Sequence, residues 1–266
     1  MIEWWQALLP ALLQGLTEFL PISSSAHLLL PTLLLDWPDQ GLAFDVAVHF
    51  GTLLAVVLYF RNDLISLAGE GAQCIVRREL NDGGREILFL AIATVPAVLV
   101  GFFLNDYMDS LRTIPVIATT TIVFALALAF ADRRAGAASQ DSVSGAGTAL
   151  LIGCAQALAP IPGTSRSGIT ITAALLLGLS RTAAARFSFL LSIPIISGAA
   201  LLKTLELLDV GSEVPWGMLL GAGAFAAVSA YLCIAAFLAL IERIGMMPFV
   251  VYRLLLGALL VAIWLV

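Results

Sequence analysis

Two long apolar stretches of the chain are each broken near the middle by proline and small polar residues. Residues 3–35 are interrupted by Pro21 and the three serines that follow it, and residues 147–180 are interrupted by Pro162 and Gly163. Each half-segment has about 12–18 residues, short of the roughly 20 that a helix needs to cross a bilayer. Irregular backbone is tolerated at membrane depth only where protein or a cavity surrounds it. We therefore expect each stretch to form a re-entrant helical hairpin.

The remaining sequence indicates an all-α integral membrane protein with six full spans. Hydrophobic residues make up 61% of the chain, charged residues make up 12%, and the mean hydropathy is +1.02. This composition excludes an ordinary soluble domain, and the chain has no basic patch suited to nucleic acid, so we expect no nucleic-acid partner. The segments long enough to cross a bilayer lie near 41–60, 87–105, 115–132, 186–203, 216–241 and 248–266.

The two interrupted stretches also resemble each other. Gln14-Gly15-Leu16 leads into the first break and Gln156-Ala157-Leu158 into the second, and three predicted spans follow each hairpin. We predict a single membrane domain over 1–266, with one repeat over 1–132, a connecting loop over 133–146 and a second repeat over 147–266. Because three crossings per repeat is an odd number, the two repeats must be inverted. This pattern places interrupted helices around a site near the midplane.

Positive charge sets the predicted orientation. The predicted outer side keeps only Arg112 and Lys203, whereas most other arginines fall in loops of the opposite side. The positive-inside rule then places both termini outside. The first motif would enter from the outside and the second from the inside, so that they can meet near the middle.

The polar residues of the two motifs match what phosphate binding requires. Ser23, Ser24 and Ser25 precede a predicted helix over 26–35, and Ser165 and Ser167 precede one over 169–179. Helix N-termini present unpaired N–H groups and a positive dipole end, which bind phosphate. The alternative is that these serines only cap their helices. The predicted substrate-binding set is Gln14, Ser23, Ser25, Gly163, Thr164, Ser165, Ser167 and Thr170.

Four residues are the catalytic candidates: Glu18, Ser24, His27 and Arg166. The guanidinium of Arg166 matches phosphate oxygens bidentately, although a structural ion pair with Glu18 is the alternative. Glu18 could act as a general base, bind a metal or cap a nearby backbone. Ser24 is our preferred nucleophile, with His27 one helical turn away as its partner. Direct attack by His27 is a second possibility, and a purely hydrogen-bonded His27 is a third.

Three further polar side chains lie within predicted spans. Asp45 and His49 form an i, i+4 pair that could line the same cavity or simply satisfy each other, and Arg253 is expected to be a structural partner. The only histidines are His27 and His49, and the three cysteines show no ligand spacing. Any metal would therefore be a hard cation held by carboxylate and phosphate oxygens.

Residues 14–27 resemble the first signature of the undecaprenyl-diphosphate phosphatases of the bacitracin-resistance type, and residues 162–170 resemble the second. Residues 44–45, 51–57, 187–191 and 248–253 also look like blocks of this family. The resemblance implies a bacterial inner-membrane enzyme with a site open to the periplasmic face. It would remove the terminal phosphate of undecaprenyl diphosphate, giving the carrier lipid for cell-wall synthesis, and be linked to bacitracin resistance.

The resemblance also implies a divalent cation, Mg²⁺ or Ca²⁺, for which Glu18 is the candidate ligand. Undecaprenyl diphosphate and membrane lipid are the expected partners, and we expect a homodimer. One residue departs from the family pattern, because many members have glutamate where this chain has Gln14. Gln14 cannot act as a base and is a weaker metal ligand, so Glu18 would carry the acid/base or metal role alone.

A transporter or flippase of lipid phosphates is the alternative function, because inverted repeats are common in alternating-access proteins. A third class, lipid phosphatases that use separate Lys/Arg-Pro, Ser-Gly-His and distal His/Asp signatures, is excluded. The chain has one lysine and two histidines and cannot supply that set.

Overall fold

The computed structural model describes residues 4–35, 37, 41–135, 140–210 and 216–265, and these residues form eleven α-helices. The helices are α1 (Trp4–Thr17), α2 (Ser24–Leu35), α3 (Leu42–Tyr59), α4 (Arg61–Arg77), α5 (Asp82–Ser110), α6 (Ile114–Arg134), α7 (Ala146–Gln156), α8 (Arg166–Leu176), α9 (Arg181–Val210), α10 (Trp216–Ile244) and α11 (Met247–Leu265).

The six predicted spans are confirmed as long apolar helices. α3, α5, α6, α9, α10 and α11 are each long and apolar enough to cross a membrane. α5 and α9 begin before their predicted spans, at Asp82 and Arg181, because polar residues there extend each helix beyond its apolar stretch. Large apolar side chains such as Phe102, Phe103 and Leu220 are exposed, as expected for surfaces that contact lipid.

α4 is not predicted from the sequence, in which 61–86 has the polar character of a loop. Its charged residues keep its hydropathy too low for a predicted span. Leu67 is its one buried residue. Ile75 and Val76 near its end are more than four-fifths exposed. α4 therefore lies at the surface and contributes little to the core.

Two helical pairs form where the apolar stretches are interrupted. α1 and α2 are joined by a turn over 18–23, and α7 and α8 by one over 157–165. α2 begins at Ser24 and α8 at Arg166, slightly earlier than predicted. Ser24 and Arg166 therefore occupy the same position, the first residue of the second helix, in their respective hairpins.

The two halves of the chain pack in an equivalent way. α1 of the first hairpin packs on α10, and α7 of the second hairpin packs on α5. Likewise α3 contacts α10, α5 contacts α9, and the pairs α3–α9 and α6–α11 close the bundle. Such correspondence is expected of two structural repeats. Their opposite orientation in a membrane and the division at 133–146 remain predictions, and residues 136–139 of that loop lie outside the described part of the chain.

Small residues allow the helices that hold the hairpins to touch through their backbones. A Cβ at Gly15 of α1 would lie 2.6 Å from the carbonyl oxygen of Ala226 of α10. A Cβ at Gly153 of α7 would lie 2.5 Å from the carbonyl oxygen of Ala93 of α5. Close approach at small residues is a main source of packing energy between helices in membranes. Both hairpins are therefore seated firmly in the bundle.

Candidate active site

The turns of the two hairpins meet inside the bundle, as the sequence predicted. The backbone N–H of Gly163 donates to the Ser25 hydroxyl at 3.1 Å. The Ser167 hydroxyl donates to the carbonyl oxygen of Leu20 at 2.8 Å. Each turn is thus bonded to the other through a serine that lies at the equivalent position of its own hairpin.

The two turns share an unusual backbone conformation. Ser23 has φ 73° and Ser165 has φ 68°, a region that residues other than glycine rarely adopt. The hydroxyls of Ser23 and Ser25 lie 3.1 Å apart, and those of Ser165 and Ser167 lie 3.3 Å apart. Strained residues of this kind persist where the surrounding structure holds them, often at functional sites. Ser165 also caps α8 by accepting from Gly168 N–H at 3.1 Å, so the capping role is present there.

Arg253 of α11 forms hydrogen bonds to both turns. Its side chain is fully buried and donates to the carbonyl oxygens of Pro21, Gly163 and Thr164 at 3.0–3.3 Å. It also donates to the carbonyl oxygen of Thr121 in α6 at 3.2 Å. The expectation of a structural partner is confirmed, and the partners in these bonds are backbone carbonyls of both motifs.

Gly163 occupies a place that no larger residue fits. Its φ is +87°, and a Cβ there would lie 2.2 Å from Thr120 Oγ1 and 2.5 Å from the Ile117 carbonyl oxygen. Thr120 Oγ1 donates to the Pro162 carbonyl oxygen at 2.5 Å, so α6 holds this turn tightly. Gly163 therefore allows the second turn to lie directly against α6.

A cavity of about 550 Å³ opens above the meeting point of the turns. Both outer basic residues of the predicted topology, Arg112 and Lys203, line this cavity together with Arg166. Sequence reasoning did not assign these two to the site, although their isolation on the outer side was the available signal. The lining residues are Thr17, Glu18, Ser23, Ser24, Ser25, Gly41, Leu42, Asp45, Gly101, Arg112, Ala159, Pro160, Pro162, Ser165, Arg166 and Lys203.

Glu18 and Arg166 form an ion pair on the cavity wall. Arg166 Nη2 lies 3.1 Å from Glu18 Oε1, and both side chains are only 10% exposed. Arg166 Nη1 donates to the Ser188 carbonyl oxygen at 3.1 Å, which fixes the plane of the guanidinium. These described bonds use two of the five N–H groups of an arginine. The guanidinium therefore retains donors for an anion in the cavity.

Ser24 is bonded to Glu18 in this structure. Its hydroxyl donates to Glu18 Oε2 at 3.3 Å, and the residue lines the cavity at the start of α2. The carboxylate is thus placed to accept the proton of this hydroxyl. A serine, a carboxylate and an arginine are brought together as the sequence predicted.

The structure does not bring His27 to Ser24. The ring nitrogen Nδ1 of His27 lies 2.7 Å from the Ser23 carbonyl oxygen, which can only accept, so Nδ1 carries hydrogen. Nε2 lies 2.6 Å from the Tyr252 hydroxyl, and the two rings stack. Our expectation of a Ser24–His27 pair is therefore corrected, because both ring nitrogens are bonded elsewhere. His27 and Tyr252 connect α2 to α11.

Several predicted substrate-binding residues lie behind the cavity wall. Ser23, Ser25 and Ser165 line the cavity. Thr170 is buried and bonds the Ser188 hydroxyl at 2.6 Å, and Gln14 bonds Glu18. The predicted residues that do not line the cavity are Gln14, His27, Gly163, Thr164, Ser167 and Thr170. Their contacts with protein groups make them supports of the wall.

The groups around Glu18 do not form a ready cation site. Glu18 Oε1 accepts from Arg166, and Glu18 Oε2 accepts from Ser24 and from the Gln14 amide at 2.9 Å. The surroundings of this carboxylate are thus hydrogen-bond donors, whereas a cation requires acceptors. Among the described residues, no group of three or more His, Cys, Asp or Glu side chains is placed to hold a metal.

Comparison with known proteins agrees with the geometry. The family described as bacitracin resistance protein BacA matches residues 7–259. A protein of Alcanivorax borkumensis named undecaprenyl-diphosphatase is 56% identical over 260 residues, covering 96% of this chain and 97% of that protein. Proteins of the same name from Teredinibacter turnerae and Hahella chejuensis are 56% and 52% identical, covering 94% and 97% of this chain and 95% and 97% of theirs. The chain therefore belongs to the bacitracin resistance protein BacA family.

Proposed function

We propose that this protein is an undecaprenyl-diphosphate phosphatase, a membrane hydrolase that removes the terminal phosphate of undecaprenyl diphosphate. The observation that carries the proposal is the grouping of Ser24, Glu18 and Arg166 around one cavity, with Ser24 and Arg166 each at the start of a helix. The relatives that share more than half of its residues are named for the same activity. Arginine and helix N-termini are the groups that bind phosphate oxygens.

The geometry supports a separate role for each of Arg166, Ser24 and Glu18. Arg166 binds the non-bridging oxygens of the terminal phosphate and stabilises the charge of the transition state. Ser24 Oγ attacks the terminal phosphorus while Glu18 takes its proton. The bond from phosphorus to the bridging oxygen breaks, and undecaprenyl phosphate leaves. Glu18 returns the proton to the departing undecaprenyl phosphate and is a carboxylate again. Water then attacks the phosphoserine while Glu18 takes a proton from it, the bond from phosphorus to Ser24 Oγ breaks, and Glu18 passes that proton to the serine oxygen as inorganic phosphate leaves.

Arg166 must bind the substrate phosphate while it is paired with Glu18. The Glu18–Arg166 contact uses one carboxylate oxygen, while Ser24 donates to the other. An incoming phosphate therefore meets a guanidinium whose charge is only partly satisfied and a serine already oriented by its base. His27 as the nucleophile remains the competing hypothesis, but it would have to give up the bond to Tyr252.

Arg112 and Lys203 define where the anionic headgroup arrives. They line the cavity with Arg166, and Lys203 also pairs with Glu206 at 2.9 Å. Cations at the mouth of a cleft attract anions and raise association rates in a salt-dependent way. We propose that this mouth faces the periplasm, that the protein resides in the bacterial inner membrane, and that the prenyl tail lies in lipid between helices. Substituting R112Q and K203Q together is expected to raise KM several-fold and weaken its salt dependence, with kcat retained.

Lipid-phosphate flipping is the second candidate, and the equivalent packing of the two halves is the observation in its favour. A transporter and a hydrolase differ in whether they break the phosphoanhydride bond. Detergent removes the two sides of the membrane, so a protein that only transports lipid releases no phosphate there.

The decisive experiment measures phosphate release from undecaprenyl diphosphate by the purified protein in detergent. Wild type is compared with R166A, R166K and E18Q, and thermal unfolding of each variant establishes that it folds. Release that falls by at least about 100-fold in R166A, with partial recovery in R166K, supports the proposal. Full activity in R166A would overturn the assignment, and no release by folded wild type would favour transport.

The same assay tests the expected cation and the expected homodimer. Release is measured with Mg²⁺, with Ca²⁺ and with a chelator. Loss of activity in the chelator would support the cation that the family resemblance implies, and full activity in the chelator would show that the donors around Glu18 serve without one. Light scattering of the purified protein in detergent determines its oligomeric state, for which a dimer is the predicted result.

A further inference from the structure

We propose that Gln14 and His49 form a hydrogen-bonded relay that positions Glu18. His49 Nδ1 lies 2.8 Å from the Asp45 carbonyl oxygen, and His49 Nε2 lies 3.2 Å from Gln14 Nε2. Gln14 Nε2 in turn donates to Glu18 Oε2 at 2.9 Å. The contacts run from the backbone of α3, through α1, to the proposed general base. The relay rests on the function proposed above for Glu18.

The direction of each bond follows from the chemistry of the groups. A backbone carbonyl only accepts, so His49 Nδ1 carries the hydrogen and Nε2 of the neutral ring is an acceptor. The Gln14 amide has two N–H hydrogens, and its nitrogen is the atom that faces both Glu18 and His49. The reverse orientation would direct the amide oxygen at two acceptors. His49 therefore selects the orientation in which Gln14 donates to Glu18.

The burial of Gln14 shows that these two bonds dominate its placement. Gln14 is fully buried, and its Oε1 has no hydrogen-bond partner among the described residues. A buried unpaired amide oxygen is costly, so the side chain keeps this orientation for its donors. Gln14 and His49 do not line the cavity. They are positioning residues that act through Glu18.

The donors of Gln14 are what a glutamate at this position, as the family resemblance gives for many members, would lack. A carboxylate at position 14 would face Glu18 Oε2 and His49 Nε2, so that three acceptors would meet with no hydrogen between them. A cation would be one way to hold such a group together. In this chain, the two N–H hydrogens of Gln14 bond Glu18 Oε2 and His49 Nε2 in place of a cation.

A double-mutant cycle tests the relay. The variants are Q14L, H49L, Q14L/H49L and the conservative H49Q, whose amide oxygen can accept from Gln14. H49L is expected to lower kcat about ten-fold with little change in KM, because Glu18 loses its fixed orientation. H49Q should retain at least about half of kcat. The double variant should be no slower than Q14L, because the two residues act in series.

Activity and stability separate the possible outcomes. Additive losses in kcat, or full kcat in H49L, would overturn the relay. Failure of wild-type protein to release phosphate would overturn the proposed function instead. The same cycle measured by thermal unfolding still tests the hydrogen bonds in that case, and additive shifts in Tm would overturn them.

Cation binding without substrate tests the role of the Gln14 donors. Equilibrium dialysis with radioactive Ca²⁺ compares wild type, Q14E and Q156E. Gln156 is the matched control, because it is equally buried but donates weakly to Ala93 at 3.4 Å and not to Glu18. Q14E is expected to bind Ca²⁺ at least about ten-fold more tightly than wild type and Q156E. Equal binding by all three would show that the Gln14 donors do not replace a cation.

Discussion

Removing the Arg253 side chain is the perturbation that most directly tests how the two motifs are held together. Among its four acceptors, the Thr121 carbonyl belongs to α6, and the Gly163 carbonyl also accepts from Thr121 Oγ1 at 3.3 Å. The carbonyls of Pro21 and Thr164 have Arg253 as their described donor. The substitution R253M keeps most of the volume but deprives these two carbonyls of their partner.

The magnitude follows from the number of carbonyls left without a donor. Each buried carbonyl that loses its partner costs about 1–3 kcal/mol, so two cost about 2–6 kcal/mol. Removal of a buried charge recovers part of its desolvation cost, which places the net loss near the lower end, at about 2 kcal/mol. In a chain of this size, a loss of about 2 kcal/mol lowers Tm by roughly 4–8 °C.

The catalytic effect is expected to exceed the effect on stability. Both the Ser24 and the Arg166 sides of the site depend on turns that Arg253 holds, and a shift of about 1 Å between reacting groups costs about 100-fold in rate. Thermal unfolding and phosphate release in detergent measure the two effects. R253K, which keeps the charge with fewer donors, should fall between wild type and R253M. Unchanged Tm together with unchanged kcat in R253M would refute the reasoning.

Two other substitution pairs give sharp contrasts. G163A should lower activity and Tm strongly, because a Cβ meets Thr120 Oγ1 at 2.2 Å, whereas G178A, with φ +95° and open space around it, should cost only its backbone strain of about 1 kcal/mol. Near-wild-type Tm in G163A would show that the second turn can move away from α6. S24A should reduce phosphate release by at least about 1,000-fold, and S24A that retains activity would exclude the serine nucleophile. H27Q should lower Tm with only a small loss of kcat, because His27 bonds the Ser23 carbonyl oxygen and the Tyr252 hydroxyl. A loss of kcat as large as that of S24A would instead indicate that His27 reacts with the substrate.

Most of the fold could be predicted because membrane constraints act on sequence directly. Spans must be long and apolar, so α3, α5, α6, α9, α10 and α11 were found from hydropathy alone. The interrupted helices were predicted because proline, glycine and small polar residues divide each apolar stretch into halves too short to span a bilayer. Irregular backbone is tolerated at membrane depth only inside protein or beside a cavity. α4 was missed because its mixed polar sequence carries no such signature.

The site was predictable to the extent that buried charge demands a partner. Glu18 and Arg166 are isolated charges in apolar sequence, and each is the partner of the other. The partner of His27 was not predictable, because Tyr252 is 225 residues away and nothing in its sequence environment indicates a contact. Arg253 was difficult for a different reason: carbonyl acceptors exist at every residue, so a sequence cannot show which of them a buried arginine binds.

The paired turns also show how an asymmetric site arises from two similar hairpins. The strained serines, the serine–serine contacts and the reciprocal bonds between turns are nearly equivalent in the two hairpins. They differ at the first residue of the second helix, which is Ser24 in one hairpin and Arg166 in the other. They also differ six residues earlier, where the first hairpin has Glu18 and the second has Pro160. Strictly symmetric turns would present two serines or two arginines at the first of these positions. Under the proposed mechanism, divergence at these two positions gives the cavity a group that attacks phosphorus, a base for it and a group that binds the phosphate oxygens.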